Sequence, residues 1–507
     1  MHKKVKTFDE LKKVLEGHKK NGSKVVQCHG VFDLLHPGHI RYFKQAKSQG
    51  DVLVVTVTPD RFVNKGPGRP AFEETLRLET IAALDCVDYV VLNDEPDAVN
   101  AIKNIKPHFY VKGTEYKDAS KDITGKIVDE SNAVKSNGGK VFFTDDIVFS
   151  SSSLINRFID PPSPVVQQFV SCLKKQYSLD DILQKIENLS DMRVLVIGDA
   201  IIDIYQYVNL LGQTGKGHHL VASCLSNETF LGGSLIISNH LAPFVKNVTL
   251  LTAVGQNCSY LNFVNDNLDT NVNREFVYLE NKSTLTKKRY VLKDGENLTK
   301  LFETYSNNEP LLDEINTKNI ISFIQKEAKN YDLVLICDFG NGFTNKNIIN
   351  VISEVPVFLA INTQTNSGNR GFNVITHYKR ADYISLNEPE IRLAAHDSNN
   401  DLKEVASKIS DIIKCPLISV TRGINGVFCF TKNGSTVIPA LVSRSIDRLG
   451  AGDSFLSLSS LCAAKKYSPE IIGFIGSVAA AMDVQIVGNR ESIKKDSLCK
   501  FITRLMK

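Results

Sequence analysis

Short apolar runs alternate with amphipathic stretches along most of the 507 residues, in two successive blocks. In the first block, residues 24–28, 52–57, 87–92, 108–111 and 141–143 are apolar runs of strand length. Between them, residues 38–48, 73–84, 97–105, 122–136 and 152–159 carry apolar positions three and four apart and read as helices. Such alternation predicts a parallel sheet with helices on both faces and ligands at the carboxyl ends of the strands. Ahead of it, residues 1–17 read as a short helix with a Thr7/Glu10 capping box and Phe8, Leu11, Val14 and Leu15 on one face. Three prolines in five residues, 160–164, break the pattern, and a helical stretch follows over 165–189 with Ser178 and Asp180 suggesting a cap midway. From Met192 a second, larger alternation begins, RVLVIGD, VTLLTAVG, DLVLICDF, VFLAIN, ADYISLN, PLISVTRG and GVFCFT, again mostly parallel α/β. The expected organisation is therefore a first domain over 1–160, a proline-containing helical linker over 161–190 and a second domain over 191–507.

Composition narrows this little. The length exceeds what one hydrophobic core serves, and 42% hydrophobic with 23% charged residues is ordinary for a globular protein. A net charge of +4 is too small to argue for a nucleic-acid or membrane partner. No run approaches the roughly 20 apolar residues of a membrane span, and the N-terminus holds no signal-peptide core. The ten cysteines include no CxxC, and several lie in strand-like runs, which fits reduced core thiols in a cytoplasmic protein.

Chemistry enters with QCHGVFDLLHPGHIRYF, residues 27–43. Its two histidines sit where a strand gives way to a helix, and the unpartnered first N–H groups of a helix favour an anion. Gly38 allows close approach of a ligand. The three-residue spacing puts His36 and His39 on one face of the first turn, placed to hold a triphosphate and the charge of a displacement transition state. Two histidines merely capping a helix are the plain alternative. Further on, Lys65-Gly66-Pro67-Gly68-Arg69-Pro70 is unremarkable as loop chemistry, Lys112-Gly113 leaves a strand, and Ser150–Ser153 precede an apolar helix that needs only one cap.

In the second block, Arg448-Leu449-Gly450-Ala451-Gly452-Asp453-Ser454-Phe455 offers two glycines at a helix start. They free backbone N–H groups to form an anion hole, and Asp453 stands beside it to take a proton from an attacking hydroxyl. A GxGD turn is the plain alternative for these residues in isolation.

Gly30, Phe32, Asp33, His36, Gly38 and His39 together resemble the signature of the HxGH nucleotidyltransferases, which move a nucleotidyl group from an NTP onto a phosphate. The resemblance implies a Rossmann-like α/β domain and makes Lys65 a candidate for neutralising the NTP phosphates. Lys112 is a further phosphate candidate, and Arg69 and Arg77 are weaker ones. KGPGRP and VKGTEY resemble segments of the ADP-heptose synthase branch, and Ser151, Ser152 and Ser153 occupy the place of a phosphate-binding hydroxyl cluster. Asp145 and Asp146 stand where the glycerol-3-phosphate branch carries an arginine, so the sugar-phosphate branch is favoured and adenine versus cytosine is left open.

GAGDSF resembles the signature of the ribokinase/PfkB sugar kinases, and four more elements follow that family's order. The resemblance implies sugar-binding roles for Asp199, Asp203, Gly232 and Gly233. It implies an indirect, water-mediated hold on Mg²⁺ for Glu390 in Asn387-Glu388-Pro389-Glu390, and an ATP site along Thr421, Gly423, Gly426, Gly450, Ala451 and Gly452, with Asp453 as base. Arg289 is a candidate for a distal phosphate on the substrate. Segments 204–230 and 272–304 read as short strands forming a small β lid. Two departures stand out: Ile236 replaces an asparagine that contacts sugar, and Leu449 replaces a threonine.

As a whole the chain resembles bifunctional heptose kinase/nucleotidyltransferases with the domain order reversed. That implies ATP for the kinase, ATP or CTP for the nucleotidyltransferase, Mg²⁺ at both sites, sugar-phosphate substrates and a dimer through the lid. A CTP-dependent enzyme for another sugar or polyol phosphate, and a kinase-like half serving only regulation or dimerisation, are the competing expectations.

Overall fold

A computed structural model describes residues 2–63, 66–117, 126–144, 162–215, 217–256, 260–280, 282–294, 297–306, 312–369 and 371–506. Lys65, Ser151, Ser152, Ser153, Asp145 and Asp146, and the helix expected over 152–159, lie outside the described residues. The chain divides into two compact units, 1–163 with 499–507, and 164–498. The helices Pro164–Gln176 and Leu179–Glu187, expected as a linker, group with the second unit. The break between them is Ser178, which accepts from the N–H of Asp181 in a capping box.

The first unit holds five parallel strands, β1 (Val25–Gly30), β2 (Val52–Val57), β3 (Tyr89–Leu92), β4 (Phe109–Lys112) and β5 (Lys140–Phe143), in the order β3-β2-β1-β4-β5. Order reverses between β1 and β4, so the loop leaving β1 lies at the switch point where such sheets bind ligands. β2 is buried at every position, as a central parallel strand covered on both faces must be. The N-terminal helix, Phe8–Lys20, carries the expected Thr7/Glu10 capping box and buries Leu11 and Leu15.

The second unit is built on nine strands: β6 (Arg193–Gly198), β9 (Asn247–Gly255), β10 (Val272–Leu279), β13 (Leu333–Asp338), β14 (Phe358–Thr363), β15 (Tyr383–Asn387), β16 (Leu417–Thr421), β17 (Val427–Thr431) and β18 (Gly434–Ile438). They run in the order β10-β9-β6-β13-β14-β15-β16-β17-β18, parallel as far as β16 and antiparallel beyond. A second sheet joins β12 (Asn297–Tyr305), β11 (Leu285–Asp294), β7 (Ala200–Gln213) and β8 (Leu220–Gly233) in that order. The expected small lid of short strands is corrected in two respects. β7 and β8 form a hairpin of 14 residues a side, and 272–279 belong to the main sheet as its edge strand β10, pairing in parallel with β9. Among the described residues nine cysteines are free, and no helix is long and apolar enough to cross a membrane.

Candidate functional sites

In the first unit, His36 is the N-cap of the helix Pro37–Lys47 and its Nδ1 accepts the N–H of Gly38 at 3.1 Å. Proline at the first helical position presets the turn. His39 follows one turn on, and the two imidazoles lie 4.0 Å apart between centroids at 31°. Phe32, held at φ +49°, packs edge-on to His39 at 5.5 Å and against Phe43. A Cβ on Gly30 would stand 3.0 Å from the Phe32 ring, so this glycine makes room for the aromatic that backs the histidines.

Asp33 is buried and organises the loop that follows β2. Its carboxylate takes Arg69 Nε at 2.6 Å and the N–H groups of Ala71 and Phe72. The Asp33 and Arg69 side chains are both fully shielded from solvent. Arg69 Nη1 and Nη2 are buried with no hydrogen-bond partner among the described residues. A buried guanidinium with two unspent donor nitrogens is costly unless an anion meets it. Arg77 is no solvated helix arginine: it is buried, donating to the carbonyls of Phe72 and Val31 and pairing with Asp60 at 2.6 Å. Lys112 is paired with Glu130 at 2.9 Å and lies over the Tyr110 and Tyr116 rings. His29, not singled out from sequence, ends β1 against Thr56 at 3.0 Å; burial and then the charges of Lys112 and Lys126 push it down to about 3.

In the second unit, Gly450 at φ +90° starts the helix Ala451–Ala464 without a side-chain cap, leaving the first backbone N–H groups to the turn. Asp453 lies in that first turn. Burial, then the negative charge of Asp203, hold its carboxyl up at about 7, while Lys287 opposes the rise. Thr421, Gly423, Gly426, Ala451 and Gly452 line one cavity of about 230 Å³, with exposed Ile424 at its edge and Phe455 within. Asn387 and Glu390 form a capping box, and Glu390 also accepts from the Thr365 N–H; burial lifts it to about 7.

The di-glycine is explained by contact. A Cβ on Gly232 would stand 2.3 Å from Asp203 Oδ2, and one on Gly233 2.5 Å from the Asp199 carbonyl. Asp199 itself accepts three backbone N–H groups, from Phe339, Asn341 and Phe343, and so pins the loop after β13. Burial and then Asp338 raise it to about 7. Asp203 is ion-paired with Arg289, which also reaches Glu303 at 3.1 Å. Arg289 thus enters the site already paired on two sides.

Register explains a residue to which the sequence assigned no role of its own. β11 pairs Lys287 with Asp203 on β7, and the two-residue period puts Lys287 and Arg289 on one face. Lys287 is buried over Tyr305 and Phe339, and burial lowers its pKa while Asp203 counters. Lys300 likewise pairs with Asp447 at 2.7 Å, where Tyr205 and the Leu449 and Gly488 N–H groups also donate. Leu449 packs with Tyr205, Phe230 and Val291, which accounts for an apolar residue beside the turn. Ile236 is buried and lines another cavity, of about 320 Å³, with Phe230, Asn239, Asn489 and the Glu228–Arg490 ion pair.

These two units define a nucleotidyltransferase-like α/β domain followed by a sugar-kinase-like one. Residues 28–158 match the cytidylyltransferase-like family, and residues 191–496 match the pfkB family of carbohydrate kinases. The chain belongs to the pfkB carbohydrate kinase family, with a cytidylyltransferase-like domain ahead of it.

Over its N-terminal domain the chain is 43% identical across 140 residues to bifunctional protein HldE of Geobacter metallireducens, 27% of each chain. It is 41% identical across 139 residues to HldE of Aliarcobacter butzleri, 27% of this chain and 29% of that one. The matched stretch thus spans little over a quarter of either relative. The crystal structure of phosphofructokinase-2 from Escherichia coli, in complex with potassium, superposes over 63% of this chain and all of its own with a TM-score of 0.50 at 14% identity, a likeness of fold.

Proposed function

We propose that the chain is a cytoplasmic bifunctional enzyme of nucleotide-sugar synthesis. The kinase half moves the γ-phosphoryl of ATP to the anomeric hydroxyl of a heptose phosphate or related sugar. The nucleotidyltransferase half joins the resulting sugar 1-phosphate to the nucleotidyl group of ATP or CTP and releases pyrophosphate. The observation that carries this reading is that one chain holds two phosphate-handling turns with different chemistry. One has the close His36/His39 pair and a buried Arg69 held by Asp33, and the other has Asp453 at a glycine-opened helix start.

In the kinase half, Asp453 takes the proton of the attacking hydroxyl, and a carboxyl near 7 suits a base working at neutral pH. The N–H groups that follow Gly450 receive the charge growing on the transferred phosphoryl. Lys287 adds a fixed positive charge facing Asp453 and Asp203. In the nucleotidyltransferase half no covalent nucleophile is needed: the sugar phosphate attacks the α-phosphorus in line, and His36, His39, Lys65 and Arg69 stabilise the charge.

Among the described residues no cluster of three or more His, Cys, Asp or Glu side chains could hold a metal by itself. Mg²⁺ binds mainly through phosphates, waters and one or two carboxylates, and Glu390 is the carboxylate that would hold it through water. Magnesium, when bound, neutralises the triphosphate.

A second reading, another sugar or a polyol phosphate with CTP, draws on Ile236 at the place of a sugar-contacting asparagine. The two are separated by assaying sugar-dependent ADP formation and sugar-phosphate-dependent pyrophosphate release against ATP, CTP, GTP and UTP. The panel of acceptors is heptose, hexose, pentose and polyol phosphates. A heptose phosphate with ATP giving the highest kcat/KM in both assays supports the first reading. A polyol or pentose phosphate with CTP supports the second, and no turnover on any member overturns both.

A further inference from the structure

The underside of the Gly450 turn carries a buried polar cluster that the proposed chemistry does not use. Asp483 ends the helix Pro469–Asp483 and is fully buried, and neither carboxylate oxygen has a hydrogen-bond partner among the described residues. Asn489 Oδ1 is likewise an acceptor without a donor, while Asn489 Nδ2 donates to the Leu231 carbonyl at 2.9 Å, next to the di-glycine. The two oxygens converge on one point. Where a Cβ of Gly450 would stand, Asn489 Oδ1 is 2.4 Å away and Asp483 Oδ2 2.7 Å.

Two facing acceptors without a donor repel, and a buried carboxylate without a counter-charge costs several kcal/mol. The charged groups around Asp483 make this worse. Asp453, from the helix that Gly450 starts, and Asp447, from the loop before it, are both acids that repel a charge on Asp483, and Lys300 is already spent on Asp447. His240 offers no charge: its Nδ1 accepts the Ile493 N–H at 3.1 Å, which leaves the proton on Nε2, 3.9 Å from Asp483 Oδ1. Burial pushes His240 down to about 3, so it stays neutral. A hard cation would want six or more oxygens, and the unpartnered side chains here supply only one carboxylate and one amide oxygen. A single proton satisfies it.

We propose that Asp483 is a neutral carboxylic acid that donates its proton to Asn489 Oδ1, locking the Gly450 turn to the di-glycine segment, with the neutral His240 ring packed nearby. Asp483 is then a positioning residue for phosphoryl transfer, and its ionisation at alkaline pH releases the turn. Burial, followed by the charges of Asp453 and Asp447, raises its pKa in the direction this requires.

The test compares full-length wild type with Asp483→Asn, whose amide N–H can replace the acid proton. A carboxyl with a raised folded-state pKa weakens folding progressively as pH rises from its unfolded value, near 4, to its folded value. The Tm of Asp483→Asn minus that of wild type therefore widens as pH is raised from about 5 to about 8. In wild type an infrared band of a protonated carboxylic acid persists above the titration of Asp199, Glu390 and Asp453, each near 7, and vanishes in the variant. A Tm difference flat with pH, or no such band, overturns the proposal. So does a wild-type Tm that rises in potassium or sodium over tetramethylammonium while the variant's does not, since a cation would then occupy the cluster.

The catalytic arm rests on the kinase reading: sugar-dependent ADP formation falls in one proton step on the alkaline side in wild type and not in Asp483→Asn. An identical alkaline step in both proteins overturns the positioning role. If wild type turns over no sugar at all, the kinase reading has failed, and melting and infrared still decide the state of Asp483.

Discussion

The sharpest consequence of the site concerns the proton on Asp453. Its carboxyl is held at about 7 by burial and then by Asp203, so at pH 7 about half the molecules carry a competent base and at pH 6 about a tenth. The kcat/KM for sugar-dependent ADP formation should fall roughly fivefold from pH 7 to pH 6 and about tenfold per unit below that. Replacing the base by Asp453→Asn removes a general-base contribution of about 10²–10⁴ in rate, or roughly 3–5 kcal/mol of barrier. The same substitution should leave pyrophosphate release unchanged. Lys287 opposes the rise of Asp453, so Lys287→Met should move the acid limb to higher pH, and Lys287→Arg should largely restore it. The assay is initial-rate ADP formation at subsaturating sugar in a constant-ionic-strength buffer series. An Asp453→Asn enzyme within tenfold of wild type, or an acid limb unmoved by Lys287→Met, would refute the assignment of the base.

Three further outcomes are expected. His39→Ala should lower sugar-phosphate-dependent pyrophosphate release about 10²–10³-fold while ADP formation by the kinase half stays intact, as coupled pyrophosphate and ADP assays will read separately. Asp33→Ala strands the fully shielded Arg69 and should destabilise the first unit by about 3–5 kcal/mol, lowering its midpoint in urea, with much of the loss recovered in Asp33→Leu/Arg69→Met. Gly232→Ala pushes a methyl into Asp203 and should cost about 1–3 kcal/mol of overpacking strain, seen as a raised sugar KM with pyrophosphate release unchanged.

Much of the architecture was legible along the chain because parallel α/β folds are written in local signals. Apolar runs such as Val52–Val57 are buried on both faces and stand out at strand length, and the caps at Thr7 and Ser178 act within three residues. The two signature turns were legible for the same reason. His36, Gly38 and His39 lie within one helical turn, and so do Gly450, Ala451, Gly452 and Asp453.

What the sequence by itself determined is thus the alternation, its two blocks, and the turns at which phosphate chemistry is concentrated. Only the tertiary structure decided which charges meet there. Lys287 faces Asp203 because β11 lies in one register beside β7, and a one-residue slip would have turned it to the other face. Arg77 is a buried brace and not a solvated helix charge, because the Val31 and Phe72 carbonyls and Asp60 close on its guanidinium. Asp199 spends its carboxylate on three N–H groups of a loop more than a hundred residues away. Asp483 and Asn489 share one stretch, but His240 comes from a helix more than two hundred residues earlier, so nothing local announces their meeting. Their meeting under Gly450 exists only once the helices and loops have packed, and burial then makes the state of one proton matter.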